Sequence, residues 1–480
     1  MKGVKTMSES TKSKRLAMDT LLFGISSFGS KILVFFLTPL YTSVLLTEEY
    51  GVADLISTTV NFIYPVLTLA IADATLRFAI DKEANKNSVL QNCLLFTGIS
   101  CVFLMLLYPL MSFVDISLRK YWIFFVLTYV FFNLHHGLSS FIKGLGKTKL
   151  FAVQGIVHTL SVIISNIIML VVLKKGLTGY LLSVIIGYIV PSVLIFFKAK
   201  IYNYLKFVKF DISLTKNMLR YSIPMIPTLL AWAINNNIDK YMILAKMGLS
   251  ENGIYSAAHK IPTLMTTVIL IFTQAWQLSA IENVGSEDEK EYHSRIYGSL
   301  NVVSVLGCMC IIPLSQILSK ILFAEAYFSA WQYVPLLTVA ALFSSLAGFM
   351  SAPFRAYKKT KMLFASVAAS SVCNIVLNFV LMEFLGTVGA ACATAVSFFV
   401  MWLVRFITAQ KFIKMKINVI KTVATYIILT AYTIYFTYYV KYTLVISLIA
   451  IIAVVALNLN DFKNIISTVI NVAKKFLKRK

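Results

Sequence analysis

Three lysines fall inside stretches that otherwise have the apolar character of membrane spans: Lys31, Lys240 and Lys260. An ammonium at the centre of a spanning helix is unfavourable by about 2.5–3.5 kcal/mol on insertion scales. Such a group faces a wet cavity, a charged partner or an anionic ligand rather than lipid. Lys31 sits near the middle of an apolar run from Leu16 to Leu46, so its stem cannot easily carry the charge to either surface. Lys260 lies about eight residues into its span on a polar face, and Lys240 about six residues from the end of its own. For each, a structural ion pair is the alternative to binding an anion.

The other groups able to move charge are few. Asp73 and Arg77 stand four apart, the spacing of an i,i+4 pair, or of a gate at a span mouth. Asp239 precedes Lys240 but projects about 100° away from it on a helix. His135, with His136 beside it, and His158 have the chemistry of a proton relay, although a hydrogen-bonded histidine between helices is the more ordinary role. Asn61, Asn235, Gln274 and Asn374 lie on polar stripes of helical period and are read as cavity polar groups, with interhelical hydrogen bonding as the alternative.

These residues are carried by a chain of 480 in which 59% are hydrophobic and 13% charged, with mean hydropathy +0.80. That composition excludes a soluble enzyme and expects an all-α integral membrane protein. Apolar segments near 16–44, 50–73, 90–114, 119–141, 149–173, 177–198, 219–246, 252–282, 295–320, 331–354, 361–383, 387–410, 420–440 and 442–460 give about 14 transmembrane helices. Of the 44 Lys and Arg, 34 fall on one alternating set of loops and tails and seven on the other. The positive-inside rule then expects both termini in the cytoplasm. No removable signal peptide is expected.

The net charge of +24 is spread over short loops, which suits topology and anionic headgroups rather than nucleic acid. The six cysteines lie in apolar stretches and read as small hydrophobes, so no metal site or disulfide is expected. The chain has no G-x-x-x-x-G-K-[ST] loop and no assembled nucleophile–His–acid set. The expectation is a non-enzyme without cofactor, working from a gradient of H⁺ or Na⁺ or from substrate concentration.

The chain resembles itself at an offset near 210. Lys143-Gly-Leu-Gly-Lys-Thr-Lys149 aligns with Arg355-Ala-Tyr-Lys-Lys-Thr-Lys361, and Gly176 and Gly179 with Gly386 and Gly389. Leu46-Thr-Glu-Glu-Tyr-Gly-Val resembles Leu249-Ser-Glu-Asn-Gly-Ile. A six-span unit repeated in one orientation predicts two six-helix lobes related by a pseudo-two-fold along the membrane normal, with two C-terminal helices outside the repeat. The expected organisation is a tail at 1–15, an N-lobe at 16–200, a linker at 201–218, a C-lobe at 219–411, the last two spans within 412–460 and a basic tail at 461–480.

Several segments are similar to those of a known family. Phe36-Leu-Thr-Pro-Leu-Tyr-Thr42, Glu49-Tyr-Gly-Val-Ala-Asp-Leu55 and Ile71-Ala-Asp-Ala-Thr-Leu-Arg-Phe78 resemble the first two spans of the Wzx-type polysaccharide-transport flippases. Tyr221-Ser-Ile-Pro-Met-Ile-Pro227, Ile254-Tyr-Ser-Ala-Ala-His-Lys-Ile-Pro262 and Ile271-Phe-Thr-Gln-Ala-Trp-Gln-Leu-Ser279 resemble their second half. The resemblance implies translocation of undecaprenyl-pyrophosphate-linked oligosaccharide units across a bacterial cytoplasmic membrane, by two lobes rocking around a basic cavity. It implies a lipid-linked anionic oligosaccharide, bilayer lipids and a polysaccharide polymerase as partners. A lipid II flippase and a multidrug extruder of the same superfamily are the alternatives. Binding residues vary in this family, and the resemblance assigns none here.

Overall fold

The computed structural model describes residues 35–109, 119–205, 211–282, 289–357, 359–439 and 441–463. Among them all regular structure is helical. The first part runs α1 (Thr38–Val44), α2 (Thr47–Leu67), α3 (Ile71–Ile80), α4 (Lys86–Leu106), α5 (Trp122–Gly144), α6 (Thr148–Asn166) and α7 (Gly176–Lys198). Next come α8 (Ile212–Ser222), α9 (Ile226–Met247), α10 (Leu249–Ala258) and α11 (Lys260–Glu282). The remainder is α12 (Glu289–Ile311), α13 (Ser315–Leu322), α14 (Val334–Ala356), α15 (Thr360–Leu385), α16 (Thr387–Ala409), α17 (Val419–Tyr438) and α18 (Thr443–Leu457).

Nine of the described helical stretches are long and apolar enough to cross a membrane, or ten if the bent pair α2 and α3 is one span. The protein is therefore a multi-pass, all-α membrane protein. Each segment expected from the second to the fourteenth coincides with a helix or a helix pair. The helix of the seventh segment, α9, carries three consecutive asparagines with Asp239 and Lys240 and is correspondingly less apolar. The first segment lies mostly outside the described residues.

Local chemistry sets the helix ends. The side chains of Asn85, Asp211 and Asn418 accept hydrogen bonds from backbone N–H groups in the first turns of α4, α8 and α17. Proline stands in the first turn of α9 and α14, where its missing N–H leaves no helical bond unmade. Gly248, at φ 88°, ends α9 and lets α10 begin at the next residue.

The described chain divides into two compact units at Gly253/Ile254. In the first, α3, α4, α5 and α7 share a buried core of Ile71, Ala74, Val89, Leu90, Phe141, Ile142 and Ile195. The amphipathic α8 adds Leu214 and Met218 to that core and leaves Lys216 and Arg220 exposed. Helix α9 belongs to this unit as well and packs along α2.

In the second unit, α15 and α16 pack closely through Ala390, Ala391 and Ala393, which allow backbones to approach. Ser370 donates to the Ser397 carbonyl at 2.6 Å across that interface. Helices α17 and α18 are tied to α12 and to each other. Tyr426 donates to Asn301 at 2.7 Å, Tyr432 to the Met309 carbonyl at 3.0 Å, and Asn458 to Thr425 at 3.0 Å.

Candidate functional site

Polar side chains gather at two places in the first unit. One is the contact of α2 with α9 and α10. Lys240 lies on α9 and Asp54 two turns into α2, and their Nζ and Oδ2 stand 2.8 Å apart. Their side chains are 12% and 18% exposed, so the pair is largely withdrawn from solvent. Lys240 also donates to Asp54 Oδ1 at 3.1 Å, and Thr58 donates to Oδ2 at 3.3 Å. One turn further along, the hydroxyls of Thr59 and Tyr241 are 2.9 Å apart.

This seam ends in a reciprocal crossing. A Cβ at Gly51 would overlap the Leu249 carbonyl, and one at Gly253 would overlap the Thr47 carbonyl. The two glycines are 202 residues apart, and so are the two carbonyl-bearing residues. The repeat-related segments at the starts of α2 and α10 therefore meet about a local two-fold. Thr47 and Ser250 hydroxyls close it at 2.7 Å. Only glycine permits this approach of backbone to backbone.

The second cluster lies deeper in the unit. Pro65 interrupts the hydrogen bonding of the second span, and Leu69 and Ala70 take left-handed φ of 52° and 50°. The result is a 63° bend between α2 and α3. Non-glycine residues in that region are strained, which marks the bend as a built feature. It leaves Asp73 in electrostatic contact with His136 on α5. Asp73 makes no ion pair with Arg77, which is exposed one turn along α3.

Around His136 the rings are ordered. Phe132 stacks on it at 5.7 Å and an interplanar angle of 3°, and Tyr64 meets it edge-on at 5.4 Å. The neighbouring His135 stacks on His158 of α6 at 5.6 Å and 16°. Tyr188 of α7 lies 5.8 Å from His135 and 5.1 Å from His158. His158 Nδ1 is 2.6 Å from the Gly187 carbonyl, which only accepts, so that nitrogen carries hydrogen. His135 Nε2 is 2.6 Å from Gln154 Oε1 and 3.3 Å from Ser139 Oγ. Two cationic rings at a 5.6 Å separation would repel by about 3 kcal/mol at an effective dielectric near 20, so the pair disfavours double protonation.

The other expected site residues are placed as follows. Lys260 is half-buried at the head of α11 and makes no ion pair with a described residue. Asp239 and Asn235 are both 1% exposed on α9. Asn61 is exposed and donates to the Ser57 carbonyl of its own helix at 2.8 Å. Asn374 is fully buried between α15 and α16, where it donates to Ser397 Oγ at 3.0 Å and accepts from Asn378 at 2.7 Å. Gln274 belongs to α11, its side chain outside the described residues, as is Lys31 altogether. No group of three or more His, Cys, Asp or Glu suited to a metal ion occurs among the described residues.

Two features were not singled out from sequence. The pairing of Asp54 with Lys240 spans 186 positions, which periodicity along one helix cannot reveal. Arg405, near the end of the expected span 387–410, is 2% exposed inside α16. It donates to the Ala347 carbonyl at 2.6 Å and to Ser366 Oγ at 2.8 Å, clamping α14 and α15 to α16.

A family model described as "Polysaccharide biosynthesis protein" matches residues 16–277, more than half of the chain. The chain belongs to the polysaccharide biosynthesis protein family. A relative within curated proteins, the uncharacterized membrane protein MJ1375 of Methanocaldococcus jannaschii, is 27% identical over 279 residues. That alignment takes in 53% of this chain and 63% of the archaeal protein, so the chain spans less than two thirds of its relative.

The fold of this polysaccharide biosynthesis family member is shared with solved transporters. The lipid II flippase MurJ in an inward closed conformation superposes with TM-score 0.68 at 16% identity, over 94% of this chain and 100% of that one. An inward-facing multidrug resistance MATE family transporter of the MOP superfamily gives TM-score 0.64 at 15% identity, over 80% and 94%. A mutant of the Vibrio cholerae MATE transporter VcmN gives 0.57 at 15%, over 84% and 98%. At these identities the likeness establishes the fold.

Proposed function

We propose that this protein is a flippase for undecaprenyl-pyrophosphate-linked oligosaccharide repeat units, moving them from the cytoplasmic to the outer leaflet by alternating access. It is not an enzyme on this reading: binding and release at a cationic passage replace chemistry. The observation that carries it is Lys260, a half-buried ammonium at the head of a spanning-segment helix with no acidic partner among the described residues. A diphosphate supplies the missing negative charge, and membership of the polysaccharide biosynthesis protein family supplies the class of cargo. Lys31 and Lys240 are proposed, each in its own right, as further cargo-binding cations. The Asp54–Lys240 pair holds Lys240 in the present state and would release it when the seam parts.

On this reading the Gly51–Gly253 crossing lies at the outer face of a bacterial cytoplasmic membrane, with both termini inside; the bias of Lys and Arg among the loops supports that orientation. An ion gradient would drive the cycle, and a polymerase would receive the cargo. The test is reconstitution in proteoliposomes with a fluorescent undecaprenyl-pyrophosphate oligosaccharide. Protection of the label from a membrane-impermeant quencher reports the flip, and no flip above empty liposomes would exclude this cargo.

A second reading, a flippase for another lipid-linked precursor such as lipid II, is favoured by one observation. The MurJ likeness covers 94% of this chain, against 80% for the inward-facing MATE transporter. Substituting labelled lipid II in the same assay separates the two.

A further inference from the structure

We infer that the first unit contains a proton-binding site made of the stacked His135–His158 pair, which couples transport to a proton gradient. The inference deepens the flippase reading and, for coupling, rests on it. His135 is nine residues from the end of α5 and His158 ten from the start of α6, so both rings lie about 14–15 Å from one face, near mid-membrane. Each ring has one nitrogen committed, His158 to the Gly187 carbonyl and His135 to Gln154. No hydrogen-bond partner among the described residues takes the second nitrogen of either ring. A proton therefore adds to His135 Nδ1 or to His158 Nε2 and leaves from the same atom.

The geometry selects the ligand. Lone pairs of imidazole lie in the ring plane, and planes only 16° apart cannot aim two nitrogens at one metal ion between the faces. Na⁺ is a hard cation that favours anionic oxygen ligands, and this box offers two imidazoles, one carboxamide, the Ser139 and Tyr188 hydroxyls and the Gly187 carbonyl, with no carboxylate among the described residues in contact with the pair. The groups facing α5 from each packed helix are Tyr64 of α2, Asp73 of α3, Cys93 of α4 against Gly137, His158 of α6 and Tyr188 of α7. Asp73, whose charge acts on His136, is the acidic member of that set. Both paired rings are half-buried.

The test uses the full chain in lipid nanodiscs with ¹⁵N-labelled histidine, titrated from about pH 8 down to about pH 3 so that both steps fall within the range. The wild type is expected to take up its first proton as a shared step, with the second displaced by about two pH units. His158→Gln, which keeps a donor for the Gly187 carbonyl, should leave one simple step at His135. Independent titration of the two rings in the wild type, or fixed protonation across the range, overturns the site. These readings need no cargo, so they stand apart from the identity of what is flipped. In proteoliposomes with a cargo that the protein moves, His135→Gln with His158→Gln should abolish the response to an imposed pH gradient while downhill exchange persists. Retention of that response overturns the coupling role.

Discussion

Lys240 of α9 and Asp54 of α2 form an ion pair of 2.8 Å although 186 residues separate them. The pair sits in a seam that also contains Thr59–Tyr241, Thr47–Ser250 and the Gly51–Gly253 crossing. A cation that the sequence offers to an anionic cargo is thus engaged by a carboxylate of the protein itself. Cargo binding and seam closure compete for one ammonium under the flippase reading.

That competition predicts an asymmetric result. Asp54→Asn should leave Lys240 available and loosen the seam, whereas Lys240→Met should leave a largely buried carboxylate without its cation. Each single change is expected to destabilise by about 2–3 kcal/mol, below a fully buried pair because both groups retain some exposure. The double variant should cost less than the two changes summed. Thermal unfolding in one detergent, taken as a double-mutant cycle, measures the coupling, and strict additivity would refute a working pair.

The crossing predicts a cross-link. Thr47→Cys with Ser250→Cys should oxidise to a disulfide readily, because the native hydroxyls are only 2.7 Å apart. Adding Gly253→Val should slow that reaction by roughly ten-fold or more, since a side chain there would overlap the Thr47 carbonyl. An unchanged cross-linking rate would show that the backbones need not approach so closely.

At the bend, Ala70→Gly should stabilise the protein by about 1 kcal/mol, because glycine takes the left-handed φ of 50° without the Cβ clash. A thermal-shift measurement checks the sign. A lower melting temperature would mean that the alanine methyl group matters more than the strain.

Arg405→Lys should destabilise the second unit by about 2 kcal/mol. A lysine cannot present two separate N–H groups at the angles that reach both Ala347 and Ser366. Ser366→Ala should be milder, since the Ala347 contact survives. Equal stability of Arg405→Lys and wild type, by thermal unfolding, would contradict the clamp.

For transport, Lys31→Ala is expected to abolish translocation of lipid-linked glycan while leaving membrane insertion intact. Unchanged flipping in proteoliposomes would remove this lysine from the proposed passage.

Membrane class, the run of spans and the bias of charge could be read along the chain. An apolar stretch of about twenty residues means the same thing wherever it occurs, because the bilayer itself defines it. The repeat was legible too, and Gly51 and Gly253 are its visible trace. Helical spacing likewise placed Asn374 on a polar face, and residue type alone gave His135 and His158 the chemistry to take up protons. Spacing could not say that Asn374 binds helices together, that Lys240 meets Asp54, or that His135 lies flat against His158. A period along one helix fixes the direction of a side chain about that axis. Which group waits there depends on how helices distant in sequence pack, and only the tertiary structure decided that.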